Sequence, residues 1–111
     1  MAGKFELKKT ASGKFMFNLK AGNGQVILTS QQYASKASAL NGIESVRKNC
    51  GNDDCFERLE SKKGEPRFVL KSTNGQVVGQ SEMYSGAKAM ENGIASVKKN
   101  APDGAVADTT A

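Results

Sequence analysis

Two cysteines and a complete lack of histidine limit the chemistry that this chain of 111 residues can perform. Cys50 and Cys55 are separated by four residues, a spacing that could serve a redox disulfide or half of a thiolate metal site. A structural zinc site needs four ligands, and without imidazole only Asp53 and Asp54 stand nearby to complete it. The lack of histidine also removes the usual general base near neutral pH. We therefore predict no catalytic residue, metal or cofactor, and we interpret the cysteines as buried hydrophobic side chains whose pairing stays open.

A tyrosine, an asparagine and a serine recur at one spacing and form the main candidate for a ligand or partner surface. The six residues are Tyr33, Asn41, Ser45, Tyr84, Asn92 and Ser96. The asparagine and serine are spaced i, i+4 and would share one helix face. There they could contact a ligand or a partner, or they could form hydrogen bonds with loops or with the helix's own carbonyls. The tyrosine could help an anion site at the helix N-terminus or cover the edge of the core. We predict that any ligand site built by this pattern exists twice.

The elements that position these residues come from a tandem repeat with an offset of 51 residues. From Lys4 to Cys50, 19 of 47 positions are identical to their partners. Each unit reads as three short strands, one of them entered through an Asn-Gly turn of type I′, and then a helix over about 36–48 or 86–99. Gly42 and Gly93 interrupt the helices, which indicates a close approach of helix to sheet. One pair breaks the pattern, because Leu7 aligns with Arg58 while Leu59 has the opposite parity.

The end of the chain fits the same repeat and indicates how the two units join. The segment 105–108 reads as a short strand, and 51 residues earlier it falls on 54–57, where the second unit begins. A three-stranded half with one helix has an exposed edge and a marginal core, which two halves in one sheet would remedy. We predict an α+β fold: a tandem β3-α-β repeat with one shared antiparallel sheet, both helices on one face and exchanged final strands. The single pseudo-twofold domain would contain repeat 1 (about 4–54) and repeat 2 (about 55–108).

The motif Asn-Gly-Ile-x-Ser-Val-x-Lys-Asn, present at Asn41–Asn49 and Asn92–Asn100, resembles the YegP-like family. The hairpin Asn-Gly-Gln-Val, the early Phe-Glu pair and the tyrosine before each helix extend the resemblance over essentially the whole chain. It implies a β3-α-β unit, present as a tandem pair or as two single-unit subunits that exchange their last strands. The family is functionally uncharacterised, so the resemblance assigns no catalytic or ligand residue. It does not lead us to expect the Cys50 and Cys55 pair.

Charge offers a second candidate surface. The net charge is +5, and residues 4–50 carry eight Lys or Arg against two Glu. The outward sheet face would present Lys20, Arg67 and Lys71, which could make non-specific phosphate contacts with a polyanion. The strand aromatics have inward parity, so recognition by base stacking is not supported. A solvated sheet face is the plainer interpretation.

Taken together, these patterns predict a small, non-enzymatic binding or interaction module. Its partner would be a protein bound by strand addition at a sheet edge, or a polyanion bound weakly by the sheet face. An enzyme that uses a tyrosine or a cysteine is a third hypothesis, which no motif supports. No run approaches the roughly 18 apolar residues of a membrane span, and no signal-peptide core begins the chain, so we expect a cytoplasmic monomer with no membrane partner.

Overall fold

Tight turns at glycines join the strands in both halves of the chain. The computed structural model describes residues 3–73, 75–102 and 104–110. Its strands are β1 (Lys4–Lys9), β2 (Phe15–Lys20), β3 (Val26–Ser30), β4 (Phe56–Glu60), β5 (Pro66–Lys71), β6 (Val77–Gln80) and β7 (Ala105–Asp108). Its helices are α1 (Lys36–Asn49) and α2 (Ala87–Asn100), and a 3-10 turn covers Asp53–Cys55. The predicted α+β class and the repeated order of elements are confirmed.

The predicted type I′ turn between β2 and β3 is wrong. Only Gly24 has a positive φ, at 85°, and no described residue other than glycine has one. The Gly24 N–H donates to the carbonyl of Ala21, whose own N–H donates to the carbonyl of Gln25. These bonds close a longer loop that ends on a left-handed glycine, the usual alternative to a two-residue turn. The Asn23 side chain accepts a bond from the Gln25 N–H, so asparagine orders this loop without positive φ. Asn74, in the second copy, lies outside the described residues.

The two helices are 14 residues long and begin differently. The Ser35 hydroxyl caps α1 by accepting a hydrogen bond from the Ser38 N–H at 3.1 Å, as expected for a serine at this position. Gly86 holds the same place before α2 and provides no side-chain cap. An apolar stripe on each helix packs against the sheet, with Ile43 and Ile94 at equivalent positions in the core.

The sheet is mixed, not antiparallel throughout as predicted. Its strand order is β4-β5-β6-β3-β2-β1-β7, and β7 runs parallel to β1 while all other neighbours are antiparallel. The direction of β7 follows from the position of the end of α2. Asn100 packs against Gly3, just before β1, so the chain enters β7 at the end where β1 begins. A strand that starts beside the start of its neighbour must run parallel to it.

The two halves meet where β3 pairs with β6. Thr29 and Gln80 are 51 residues apart, so they are equivalent positions of the two repeats, and they pair with each other across the junction of the two halves. Leu28 and its equivalent Gly79 lie beside it, and a Cβ on Gly79 would come 2.8 Å from Leu28 Cγ. The centre of the core therefore has room for a leucine side chain at only one of the two equivalent positions, 28 and 79.

A tyrosine ring lies over each helical glycine. A Cβ built on Gly42 would lie 2.5 Å from Tyr33 Oη and 3.0 Å from Phe17 Cε2. The close approach predicted for this glycine is therefore real, but its nearest neighbour is the tyrosine and only then the sheet. Gly93 has the same relation to its own tyrosine, which is the physical reason that both copies keep a costly glycine in mid-helix.

Arg58 occupies the register position that Leu7 has in the first half, which explains the break in the repeat pattern. Leu7 is fully buried because β7 lies beside it. Among the described residues β4 has no such neighbour, so Arg58 is exposed and binds Glu91 on α2 at 2.5 Å and Asp53 at 3.1 Å. An ion cluster thus stands at β4 where the other edge of the sheet has an extra strand.

Candidate functional site

The two tyrosines predicted as site residues are half-buried against the core. Tyr33 stacks on Phe17 with ring centroids 6.4 Å apart, and Tyr84 stacks on Phe68 at 6.2 Å. Burial raises the pKa of both phenols above the usual value, and the charge of Glu82 adds to this at Tyr84. These rings therefore shape the walls of a site and remain protonated at neutral pH.

The two predicted serines bond within their own helices. Asn49 Nδ2 donates to the Ser45 carbonyl at 2.8 Å and to Ser45 Oγ at 3.2 Å. Asn100 makes the same pair of bonds to Ser96, at 2.8 and 3.1 Å. Each serine hydroxyl thus accepts a bond from an asparagine of its own helix, while its proton stays available to another acceptor.

The predicted residues of the second copy line one groove, between α2 and the β2–β3 hairpin of the first copy. We call it the α2 groove. Its lining residues are Ala21, Gly22, Asn23, Gln25, Val26, Ile27, Glu82, Tyr84, Ala89, Asn92, Gly93, Ala95, Ser96, Lys99 and Asn100. A wide part of about 620 Å³ and a narrower part of about 210 Å³ share Asn92 and Ser96. The structure therefore brings Tyr84, Asn92 and Ser96 together along one surface.

The equivalent groove of the first copy would lie between α1 and the β5–β6 hairpin, whose Asn74 lies outside the described residues. Tyr33 lines a smaller space of about 200 Å³ against the β5–β6 hairpin, and neither Asn41 nor Ser45 contributes to it. The three residues share one groove in the second copy, and the existence of a second site stays a prediction.

The floor of the α2 groove holds an unused hydrogen-bond acceptor. Asn100 is only 5% exposed, and its Oδ1 has no hydrogen-bond partner among the described residues. Arg47 Nε is the one fully enclosed side-chain nitrogen or oxygen without a partner in that part of the chain, so Asn100 Oδ1 is within reach of solvent. In the first copy, Asn49 Oδ1 accepts a weak bond from the thiol of Cys55 at 3.9 Å. The two repeats therefore differ in chemistry at this one atom.

Sequence reasoning did not single out Asn100, Asn23 or Lys99 as site residues. A signal existed, because each is identical to its partner in the other repeat. For Asn23, the sequence pattern predicts turn formation and no further role. The β2–β3 hairpin of the first unit lies against α2 of the second. The order of elements alone does not predict this contact.

The predicted polyanion residues lie on the outer sheet face but already have partners. Lys20 binds Glu6 at 3.0 Å, Lys71 binds Glu57 at 2.6 Å, and Arg67 donates to a glutamine on β6. Lys8 and Lys20 together hold the pKa of the Glu6 carboxyl below its usual value. Free phosphate contacts would therefore compete with these pairs.

The cysteines are free thiols in the core. Cys50 and Cys55 are both buried, and burial raises the pKa of the Cys50 thiol. A thiol with a raised pKa forms little of the nucleophilic thiolate near neutral pH. Within the described ranges, no group of three or more acidic or cysteine side chains is placed to hold a metal ion. Neither described helix is long and apolar enough to cross a membrane.

Comparison with known proteins places this geometry in a family. A family model described as a domain of unknown function, DUF1508, matches twice, at residues 11–57 and 61–108. A UPF0339 protein of Pseudomonas aeruginosa is 53% identical over 108 residues, which is 97% of this chain and 98% of that protein. The UPF0339 protein YegP of Escherichia coli O157:H7 is 49% identical over 110 residues, 99% of this chain and all of that protein.

Two solved structures have the same fold. The solution NMR structure of YegP from E. coli, a protein of unknown function, has a TM-score of 0.94 and 48% identity, covering 99% of this chain and 95% of its own. A UPF0339 protein from Shewanella oneidensis has a TM-score of 0.94 and 44% identity, covering 99% and 93%. The predicted resemblance is confirmed, and the chain belongs to the YegP-like UPF0339 family built from DUF1508 repeats.

Proposed function

We propose that this protein is a small, non-enzymatic binding module whose ligand site is the α2 groove. The observation that carries the proposal is the open Oδ1 of Asn100, an acceptor that is nearly buried and yet has no partner in the described structure. Buried polar groups usually have a partner, and those that do not are candidates for a ligand or water.

The groove supplies further hydrogen-bonding groups around this acceptor. The Asn92 amide makes no hydrogen bond with a described residue, and Asn23 uses only its Oδ1, which leaves its Nδ2 to donate. The Ser96 hydroxyl can donate, and Lys99 adds a cation at the rim. Such a set recognises a polar ligand by complementary hydrogen bonds, and it contains no nucleophile beside a base.

An NMR titration tests this proposal with four probes: tetra-alanine, glucose, inorganic phosphate and adenosine monophosphate. We expect at least one probe, at millimolar concentration, to shift the side-chain amide signals of Asn92 and the backbone signal of Ser96. Asn92→Ala should abolish the shift of the Ser96 backbone signal, and the matched variant Asn41→Ala should leave that shift unchanged. If no probe moves these signals, or if signals of α1 move equally, the groove is not the site.

We also propose how the chain is assembled and where it acts. The two repeats, about 4–54 and 55–108, form one pseudo-twofold domain with both helices on one sheet face, and they exchange their final strands. This is supported by the pairing of β7 with β1 and by the continuation of Cys55 into β4. The protein works as a cytoplasmic monomer, since one chain already supplies both halves of the sheet.

A protein partner that adds a strand to the sheet is a weaker form of the binding proposal. The start of β4 is closed, because the Phe56 N–H already donates to the Asp53 carbonyl in the 3-10 turn. Beyond it, Arg58 is held by two carboxylates. Charged and shortened edges of this kind discourage strand addition.

Weak polyanion binding on the outer sheet face is a second candidate function, which the charge of that face favours. By register, the charged strand residues there are five cations and two carboxylates: Lys4, Lys8, Lys20, Arg67, Lys71, Glu6 and Glu57. A single-stranded oligonucleotide should bind with an affinity that falls steeply as salt rises. Lys20→Glu, Arg67→Glu or Lys71→Glu should abolish it, and salt-insensitive binding would contradict it.

A further inference from the structure

We propose that the ligand of the α2 groove is a short free peptide, bound extended with its carboxylate at Lys99 and its ammonium group at Glu82. This inference rests on the proposed function and names the chemical class of the ligand. The two charged side chains lie in opposite parts of the groove, since Glu82 lines the narrow part and Lys99 the wide part. A zwitterionic ligand matches this separation, whereas a ligand with one net charge would meet one unfavourable end.

The length of the groove sets the length of the peptide. Its helical wall extends from Ala89 to Lys99, which corresponds to about 15 Å at 1.5 Å per residue. An extended peptide rises about 3.3 Å per residue, so roughly four residues span this distance.

The amide groups of the groove fit a peptide backbone. Each backbone unit presents one N–H donor and one carbonyl acceptor. The Asn92 side chain carries a donor and an acceptor and can bond both, Asn100 Oδ1 can accept from a backbone N–H, and Asn23 Nδ2 can donate to a carbonyl. Small side chains at Ala21 and Ala95 leave room for the ligand to lie close to the walls.

Other common ligand classes fit less well. The Tyr84 ring already has one face stacked on Phe68, so it cannot sandwich a sugar or a base between two aromatic rings, and it is the one aromatic side chain among the described residues that line the groove. A phosphate would meet one lysine and no arginine, although planar, bidentate contacts are what make phosphate sites selective.

The test compares tetra-alanine that has free termini with its C-terminal amide and its N-acetyl form, each titrated into the full-length protein and followed by NMR. We expect each blocked form to bind roughly two- to fivefold more weakly, the usual size of one exposed charge pair. Lys99→Gln should weaken the free peptide by the same factor and should not weaken the C-terminal amide further. The matched variant Lys48→Gln, on the equivalent position of α1, should change neither value.

Each result decides the inference. If the C-terminal amide binds as well as the free peptide, or if Lys99→Gln weakens both equally, the carboxylate is not read at Lys99 and the inference is wrong. If glucose, phosphate or adenosine monophosphate shifts the groove signals while no peptide does, the peptide class is wrong and the groove remains a binding site. If no probe shifts them, the proposed function fails as well.

Discussion

Replacing Gly42 with alanine should destabilise the protein, and it should become stabilising once the tyrosine above it is removed. The added Cβ would lie 2.5 Å from Tyr33 Oη and 2.8 Å from its Cζ. The ring cannot easily turn away, because it stacks on Phe17 at an interplanar angle of 9° and its backbone bonds Phe15 in both directions. The clash must therefore displace a packed ring.

The expected magnitudes follow from two opposed effects. Alanine gains about 1 kcal/mol over glycine in a helix interior. Overpacking a core typically costs about 1–3 kcal/mol. Gly42→Ala alone should therefore lower the free energy of unfolding by about 1 kcal/mol. In a Tyr33→Ala background the 2.5 Å clash is gone and a 3.0 Å contact with Phe17 Cε2 is left beside the helix term, so the same change should raise the free energy of unfolding by less than about 1 kcal/mol, a coupling of up to about 2 kcal/mol.

Urea unfolding of the four proteins in this double-mutant cycle measures the coupling directly. The second repeat offers an independent replicate in Gly93 and Tyr84, which stand in the same relation. If Gly42→Ala is neutral or stabilising in the natural background, or equally destabilising in both backgrounds, the ring is not the reason for the glycine.

Three further predictions test the ion cluster, the centre of the core and the buried thiol. Lys98 and Arg58 lower the pKa of the Asp53 carboxyl in the folded protein. The carboxylate therefore stabilises the fold above its unfolded pKa near 4, and this stabilisation is lost as the pH falls through its folded pKa. In Arg58→Leu the free energy of unfolding, measured by urea titration, should fall less between about pH 5 and pH 2. Gly79→Leu should cost about 1–3 kcal/mol or more by overpacking against Leu28, and adding Leu28→Gly should recover most of the loss, as measured by thermal unfolding. Cys50 should not react with a thiol reagent until the protein unfolds, which absorbance kinetics in increasing urea will show.

Each of these predictions has a control or an outcome that would contradict it. Lys9→Leu, at a charged strand position with no carboxylate partner among the described residues, should leave the acid dependence unchanged. Equal pH profiles for the natural protein and Arg58→Leu would contradict the role of the cluster. A double variant at the core centre that is no more stable than Gly79→Leu would contradict the equivalence of the two positions. Fast labelling of Cys50 in the folded protein would contradict its burial. The matched change Cys50→Ala, which copies Ala101, should cost only about 1 kcal/mol.

Much of the fold could be predicted because the same sequence patterns occur in both repeats. The hairpin glycines, the helix stripe around Ile43 and the cap at Ser35 act locally, so sequence spacing is enough to place them. The direction of β7 depends on where α2 ends relative to β1, a tertiary fact that short-range patterns do not contain. Arg58 takes the position of Leu7 because β4 is an edge strand among the described residues, whereas β7 pairs with β1 and buries Leu7. The sequence alone does not show which strand is at an edge.

The candidate site could be predicted only in part. The sequence singled out Asn92 and Ser96 by their recurrence, but recurrence also implied that both copies would be equivalent. They differ because Cys55 supplies a donor to Asn49 Oδ1, while the residue 51 positions later is Val106, whose side chain has no donor. Such a difference depends on which atoms face each other, and a spacing cannot reveal it.

The most direct test of the central claim compares the two repeats in one spectrum. When tetra-alanine is added to the full-length protein, the side-chain amide of Asn92 and the backbone amide of Ser96 should shift with saturation. The equivalent signals of Asn41 and Ser45 should stay in place, since Asn49 Oδ1 of the first copy already accepts a bond from the Cys55 thiol. Equal shifts in both repeats, or none in either, would contradict the proposal that the ligand binds in the α2 groove at the open Oδ1 of Asn100.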